Sequence, residues 1–217
     1  MSTQTTDINN PPLTIALPKG RLQKQVQELF REKGINFSFE DRKLVAHDQE
    51  KQIKFFLVKN SDLPTYVNHG IAGLGFCGED VLYEHGGTFI RLTDFPFGGT
   101  TMCIAGKKGG SFEQQGGTVT VATKFTSFTR DYFHKEGLPV EIIKLNGSVE
   151  LAPVLGLAPY IVDLVETGTT LKANNLEVYQ ELAKIKVYLI ANPAYYKLYY
   201  RQINAFTQKI LAPAADT

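Results

Sequence analysis

The sequence predicts an α/β protein whose sheets are covered by helices on both faces, and three observations carry that expectation. Short apolar runs of strand length alternate with amphipathic stretches of helical period along the chain. A Pro/Gly-rich interruption, DFPFGGTT at residues 94–101, stops the pattern once before it restarts. The apolar run Ile161, Val162, Leu164 and Val165 empties into Thr167, Gly168, Thr169 and Thr170, at the strand end where α/β proteins bind ligands.

LTIAL (Leu13–Leu17) reads as a short buried strand, and after Pro18, Lys19 and Gly20 a helix carries Leu22, Val26, Leu29 and Phe30 on one face until Gly34 ends it. KLVAH and QIKFFLV read as two strands joined across the polar DQEK, with Asp41 and Arg42 at the mouth of the first. Ser61 is placed to cap a short helix through Tyr66 and Val67 that Gly70 closes, and IAGLGF leads as a buried strand into a helix at Glu79–Glu84. Beyond 94–101, the expected lobe boundary, come TMCIAG and TVTVAT as strands, a helix from Phe125 to Glu136, and VEIIKL as a strand. Ser148 is expected to cap a helix bearing Glu150 in its first turn, a further helix to open at Leu171, and KVYLIAN to precede a final helix from Ala194 to about Leu211.

With 217 residues, 43% hydrophobic and 21% charged, the chain can bury a full core as one large domain or two small lobes. A net charge of +1 leaves no global field to recruit nucleic acid or an acidic membrane, so any polyanion must be held by a local cluster. Cys77 and Cys103 fit no CxxC spacing, and His47, His69, His85 and His134 form no HExxH pattern, so no metal site built from protein side chains is expected. Residues 1–12 are polar, without a basic start or an apolar h-region, and read as a disordered tail. No later run has the length to span a bilayer, and a cytoplasmic protein is expected.

The loop at Thr167–Thr170 has the makings of a phosphate cradle: Gly168 lets backbone approach an anion, and small hydroxyl residues add donors without bulk. Lys19, Arg21, Arg42 and Lys59 form a second, cationic group in the first half of the chain. Any one of them alone is better read as a solvated surface charge, but Lys19 and Arg21 flank Gly20 in a strand-to-helix turn. Glu150 and Asp163 can serve a helix N-terminus or a strand end, or can accept hydrogen bonds from sugar hydroxyls beside the loop. Two anion-friendly regions in different halves suit two phosphorylated molecules, and a ribose 5-phosphate fits the loop with its carboxylates.

Glu150, Gly156, Ala158, Ile161, Asp163, Thr167, Gly168, Thr170 and Leu171 fall on the fixed positions of a family signature that closes in TG.TL. ALPKGRL (16–22), DRKL (41–44), SDLPTYVNHG (61–70), GFCGEDVL (75–82), VATKF (121–125) and LNGSVELAP (145–153) match the same family. On these segments the chain resembles the ATP phosphoribosyltransferases, in their short form, from about Leu13 to the last strand. One departure is Lys59, where related chains usually carry Arg; lysine keeps the charge and loses the bidentate fork.

The resemblance implies a two-lobed fold like type II periplasmic binding proteins, the chain crossing the hinge twice. Residues 13–98 with 190–217 would form the ATP and pyrophosphate lobe, and 99–189 the lobe of the 5-phosphate loop. It implies transfer of the 5-phosphoribosyl group from phosphoribosyl pyrophosphate to N1 of ATP, with inversion and loss of pyrophosphate, as the first step of histidine biosynthesis. Arg21, Arg42 and Lys19 would be catalytic and, with Lys59, bind ATP and pyrophosphate. Glu150, Asp163, Glu166, Thr167, Gly168, Thr169 and Thr170 would bind phosphoribosyl pyrophosphate, and Mg²⁺ would ride on the substrate phosphates. The chain stops after one helix and APAADT, which leaves no room for the regulatory domain of long forms. A homodimer core within a hetero-oligomer is therefore expected, with a regulatory subunit resembling histidyl-tRNA synthetase. The competing readings are a two-lobed binding module without catalysis and a purine-type phosphoribosyltransferase. The latter group places two adjacent acidic residues before its loop, and here Asp163 and Glu166 are separated.

Overall fold

The computed structural model describes residues 11–112 and 117–213. Of the tail expected at 1–12, all but Pro11 and Pro12 falls outside the described residues, and the Pro11 carbonyl accepts a hydrogen bond from Gln202 at 3.2 Å. The described chain divides into two compact units. The first comprises residues up to Cys77, Gly87–Gly98 and those from Val187 onward; the second comprises Gly78–Gly86 and Gly99–Lys186.

In the first unit β1 (Leu13–Pro18) pairs in parallel with β3 (Ile53–Val58) on one side and β4 (Leu74–Gly78) on the other. An inner strand of that kind is buried on both faces, which is why LTIAL shows no alternation. β2 (Val45–His47) runs antiparallel on the outside of β3. Helix α1 (Arg21–Glu32) buries Val26 and Phe30, and Gly34, at φ 71, closes it by donating to the Arg31 carbonyl. Phe30 is fully buried among the rings of Phe37, Phe55, Phe76 and Phe206, with centroids 5.6 to 6.0 Å away. Burying one such ring contributes about 1.5–3 kcal/mol.

Ser61 does not cap. A 3₁₀ turn at Asn60–Asp62 runs straight into α2 (Leu63–Asn68), so the Ser61 hydroxyl lies inside the helical path and donates to the Asp62 carboxylate at 2.8 Å. The expected final helix is two, α7 (Pro193–Leu198) and α8 (Tyr200–Leu211), separated at Tyr199, whose φ of −112° leaves the helical range. Asn192 caps α7 by accepting from the Tyr195 N–H at 3.0 Å, a cap for which Pro193 in the next position is well suited.

The second unit contains α3 (Glu79–His85), β6 (Val119–Thr123), α4 (Thr126–Lys135), β7 (Val140–Lys144), α5 (Leu151–Leu155), β8 (Tyr160–Val165) and α6 (Thr169–Ala173). β5 (Ile90–Lys107) and β9 (Leu176–Ala191) are long strands, each with residues in both units. β8 pairs antiparallel with β5 and parallel with β6, which pairs parallel with β7. Residues 94–101, expected as the lobe boundary, are strand, and the division between the two units falls within them, between Gly98, at φ 71, and Gly99. The sequence reading placed 78–86 with the first lobe. They cluster with the second unit because Glu84 accepts hydrogen bonds from the Ser127 and Phe128 N–H groups at 3.0 and 2.9 Å, and Tyr83 donates to Asp131 at 2.6 Å. Nor does Ser148 cap a helix: its backbone is left-handed at φ 47, and α5 begins at Leu151 with Glu150 just outside it.

Candidate functional site

The cradle is built by β8 and the turn that follows it. β8 ends at Val165, Gly168 takes φ 71 as the residue flanking α6, and α6 begins at Thr169 rather than at the expected Leu171. The left-handed conformation at Gly168 turns strand into helix within three residues, and it favours glycine there. The first-turn N–H groups of α6, which a helix leaves without intrahelical acceptors, therefore belong to the loop itself.

Six of the seven residues assigned from sequence to the sugar phosphate, Glu150, Asp163, Glu166, Thr167, Gly168 and Thr170, line one cavity of about 260 Å³ in the second unit. Thr169 does not line it: its hydroxyl pairs with that of Thr167 at 2.9 Å, a contact that fixes the loop. Leu171, 5% exposed, anchors the other end of the turn in the core.

Asp163 is a half-buried carboxylate, with its side chain 18% exposed. Burial raises its pKa above the ordinary carboxylate value, and the charge of Glu150 pushes the same way. The Lys124 ammonium, 3.6 Å from Oδ1, and the Leu164 N–H, which donates to Oδ1 at 2.8 Å, oppose that rise. Cys103 stands opposite Asp163 on β5 and also lines the cavity. Burial pushes its thiol up to about 11, so it remains protonated at neutral pH and is no nucleophile.

The first unit holds Lys19, Arg21, Arg42 and Lys59, all exposed. Pro18 and Val58 are the last register pair of β1 and β3, and the Lys19 N–H donates to the Val58 carbonyl at 2.9 Å. Lys19 and Lys59 thus leave the carboxyl ends of adjacent parallel strands. Val45 lies opposite Phe56 on the antiparallel neighbour, so Arg42, three residues ahead of β2, sits at that same end. Arg21 opens α1 directly after the turn. Arg42 is left-handed at φ 60 and sits 3.9 Å from Asp41, with both side chains over nine-tenths exposed, an ion pair worth little in water.

Sequence reasoning missed Lys124 and Asp80. Asp80 is 7% exposed in the first turn of α3, and burial raises its pKa while Lys124 lowers it. The signal for Lys124 was its place directly after an apolar strand, the same position that singled out Lys19. Among the described residues no group of three or more His, Cys, Asp or Glu is placed to hold a metal ion, and no helix is long and apolar enough to cross a membrane.

A family model described as ATP phosphoribosyltransferase matches residues 59–212. An ATP phosphoribosyltransferase of Clostridioides difficile is 43% identical over 193 residues, which is 88% of this chain and 93% of the relative. One from Caldicellulosiruptor bescii is 47% identical over 191 residues, covering 86% and 91%. The ATP phosphoribosyl transferase (HisG:HisZ) complex from Thermotoga maritima contains a chain that superposes with a TM-score of 0.79 at 38% identity, over 91% of this chain and 96% of that one. The VFT2 domain of Bordetella pertussis BvgS superposes with a TM-score of 0.57 at 12% identity, covering 93% and 88%, a likeness of fold that places the architecture with the periplasmic-binding-protein kind.

Proposed function

The chain belongs to the ATP phosphoribosyltransferase family, whose reaction is the first step of histidine biosynthesis, and from that premise we propose how its residues divide the work. The sugar 5-phosphate is held by the loop Thr167–Thr170, and Glu150 and Asp163 accept hydrogen bonds from the ribose hydroxyls. Arg21 and Arg42, with Lys19 and Lys59, take the ATP phosphates and the departing pyrophosphate. The single observation that carries the assignment is the lining of one cavity by six residues drawn from a loop, a strand end and the start of a helix.

The chemistry asks little covalent work of the protein. The bond from ribose C1 to pyrophosphate breaks as N1 of the adenine attacks from the opposite face, so positive charge builds on the sugar while negative charge builds on the leaving group. Positioning both substrates and stabilising that anion supply the catalysis. Carboxylates at Glu150 and Asp163 suit a ring gaining positive charge, and guanidinium groups suit pyrophosphate oxygens, which they can grip through paired donors. Mg²⁺ enters as part of the substrate, since pyrophosphate oxygens are the hard ligands this ion prefers.

In this reading the first unit handles ATP and pyrophosphate and the second the 5-phosphate, and the reaction takes place in the cytoplasm, where ATP is plentiful. Assembly of a homodimer core with a synthetase-like regulatory subunit belongs to the same proposal. It is supported by the family resemblance and by the Thermotoga protein's being solved as a complex.

Incubating the purified chain, alone and with its regulatory partner, with phosphoribosyl pyrophosphate and Mg²⁺ tests the reading. Pyrophosphate release that requires ATP is expected, and binding of both compounds without turnover would convert the protein into a binding module. Arg42→Ala should lower kcat by roughly 10²–10³, the scale of losing one preorganised donor. An unchanged single-turnover rate removes Arg42 from the leaving group.

A further inference from the structure

Lys124 lies outside every residue set assigned so far, yet its position is fixed by the backbone. β6 and β8 run in parallel with Thr123 opposite Val162, which brings Lys124, the next residue, level with Asp163. The Thr123 hydroxyl, fully buried, donates to the Val162 carbonyl at 2.6 Å and accepts from the Phe125 N–H at 2.9 Å. One side chain thus pins the turn on both sides of Lys124. The ammonium lies 3.6 Å from Asp163 Oδ1 and 4.7 Å from the centroid of the Phe125 ring, a residue 4% exposed, so charge and aromatic face hold it on the same side.

The charge of this cation reaches two poorly hydrated carboxylates, Asp163 directly and Asp80 behind the backbone N–H groups of Val81 and Asp80 that already favour its anion. Asp163 has the Leu164 N–H as its other donor, and Asp80, on α3, is nearly buried. The groups around Asp163 are Lys124 beyond β6, Glu150 ahead of α5, Glu166 in the lining of the same cavity, Asp80 on α3 and the Cys103 thiol on β5. Of these the lysine alone is positive. Without it, a carboxylate desolvated at the sugar site and faced by further acids would take up a proton at higher pH than it now does, becoming a donor where the substrate hydroxyl needs an acceptor.

We propose that Lys124 is the positioning residue of the sugar site: its ammonium holds the Asp163 carboxylate as an oriented anion, ready to accept hydrogen bonds from the ribose, without itself touching the substrate. The inference rests on the assignment of Asp163 to the ribose, and its test separates the two. An opposite charge at this range favours the ionised carboxylate by about tenfold or more. Because Lys124 is 44% exposed, solvent screening trims that to roughly threefold to tenfold.

The experiment is a pH profile of kcat/KM for phosphoribosyl pyrophosphate, from about pH 5 to about pH 9, for the wild type, Lys124→Met, Lys124→Arg and Asp163→Asn. The expected result is that Lys124→Met moves the acid limb to higher pH, so that roughly threefold to tenfold is lost on the acid side and regained in alkali. KM for phosphoribosyl pyrophosphate should rise with KM for ATP unchanged, and Lys124→Arg should restore the profile. A loss of the same size at every pH would mean that Lys124 grips substrate directly and would overturn the proposal, as would a profile that does not move. If Asp163→Asn is fully active, the ribose assignment itself is wrong and the inference goes with it; if Asp163→Asn is impaired while Lys124→Met is not, the inference alone fails. Should Lys124→Met fold poorly, carboxyl ¹³C NMR of Asp163 in Lys124→Gln gives the same answer, an unmoved titration being the overturning outcome.

Discussion

Gly168→Ala is the substitution whose consequence can be worked most directly from the loop. The glycine sits at φ 71, and a Cβ built there meets nothing nearer than Val165 Cγ1 at 3.9 Å, an ordinary contact. Steric clash is therefore excluded, and what remains is the left-handed backbone itself, which costs an L-residue roughly 1–2 kcal/mol. That cost must appear in one of two places. If the loop keeps its conformation, the folded state loses the energy and Tm falls by about 2–4 °C for each kcal/mol in a protein of this size. If the loop relaxes, stability is recovered, but phosphoribosyl pyrophosphate must force the left-handed turn back, and its Kd rises by about 5- to 30-fold.

The two losses should sum to a constant, which makes the prediction sharper than either alone. Alanine also narrows the unfolded ensemble and returns roughly 0.4–1 kcal/mol in stability, with no effect on affinity. Tm is thus the blunter readout and Kd the sharper. Calorimetric titration with phosphoribosyl pyrophosphate and with ATP, beside thermal melts, covers both, and Gly168→Asn, which tolerates the left-handed region, should fall between wild type and alanine. Unchanged Tm together with unchanged Kd would show that the turn is not needed in this conformation, and an equal loss for ATP would show that the loop does not select the sugar phosphate.

Two further outcomes concern the second unit's frame and its charge. Glu84→Ala removes the acceptor of two first-turn N–H groups of α4 and should lower stability by about 1–2 kcal/mol, visible as a lower urea midpoint; Glu84→Gln, which keeps one oxygen, should lose less, and equal midpoints for all three proteins would refute the capping role. Asp80 has a folded pKa raised by burial above the ordinary aspartate value of 3.8, so the folded state keeps its proton to higher pH than the unfolded chain. Stability must then fall as pH climbs from that value through the folded pKa, so Asp80→Asn should gain on the wild type at neutral pH relative to acid; chemical denaturation showing the same difference at both would contradict it.

What could be read from the chain was what short stretches decide. β1 and β8 were legible because inner strands are continuous apolar runs, and the tight turn after β8 because Thr167, Gly168, Thr169 and Thr170 stand together in sequence. The first half of β9 was not, because from Glu177 to Lys186 charged and apolar residues alternate unevenly, and only pairing with neighbouring strands makes that backbone extended. β5 hid behind Pro96 and two glycines for a related reason: Gly98 answers to a left-handed kink inside the strand, at φ 71, and to crowding, since a Cβ there would lie 3.0 Å from Val187 and 3.1 Å from Leu22. The caps expected at Ser61 and Ser148 failed because a shift of one or two residues in a helix start decides whether a hydroxyl meets a free N–H. Lys124 illustrates the deeper limit. Its place comes from the register that sets Thr123 against Val162 across 39 residues of sequence, and only that register brings an ordinary surface lysine within 3.6 Å of the Asp163 carboxylate. On the proposed assignment, the sugar site would be fixed in kind by its loop, and in ionisation by a strand that the loop never touches in sequence.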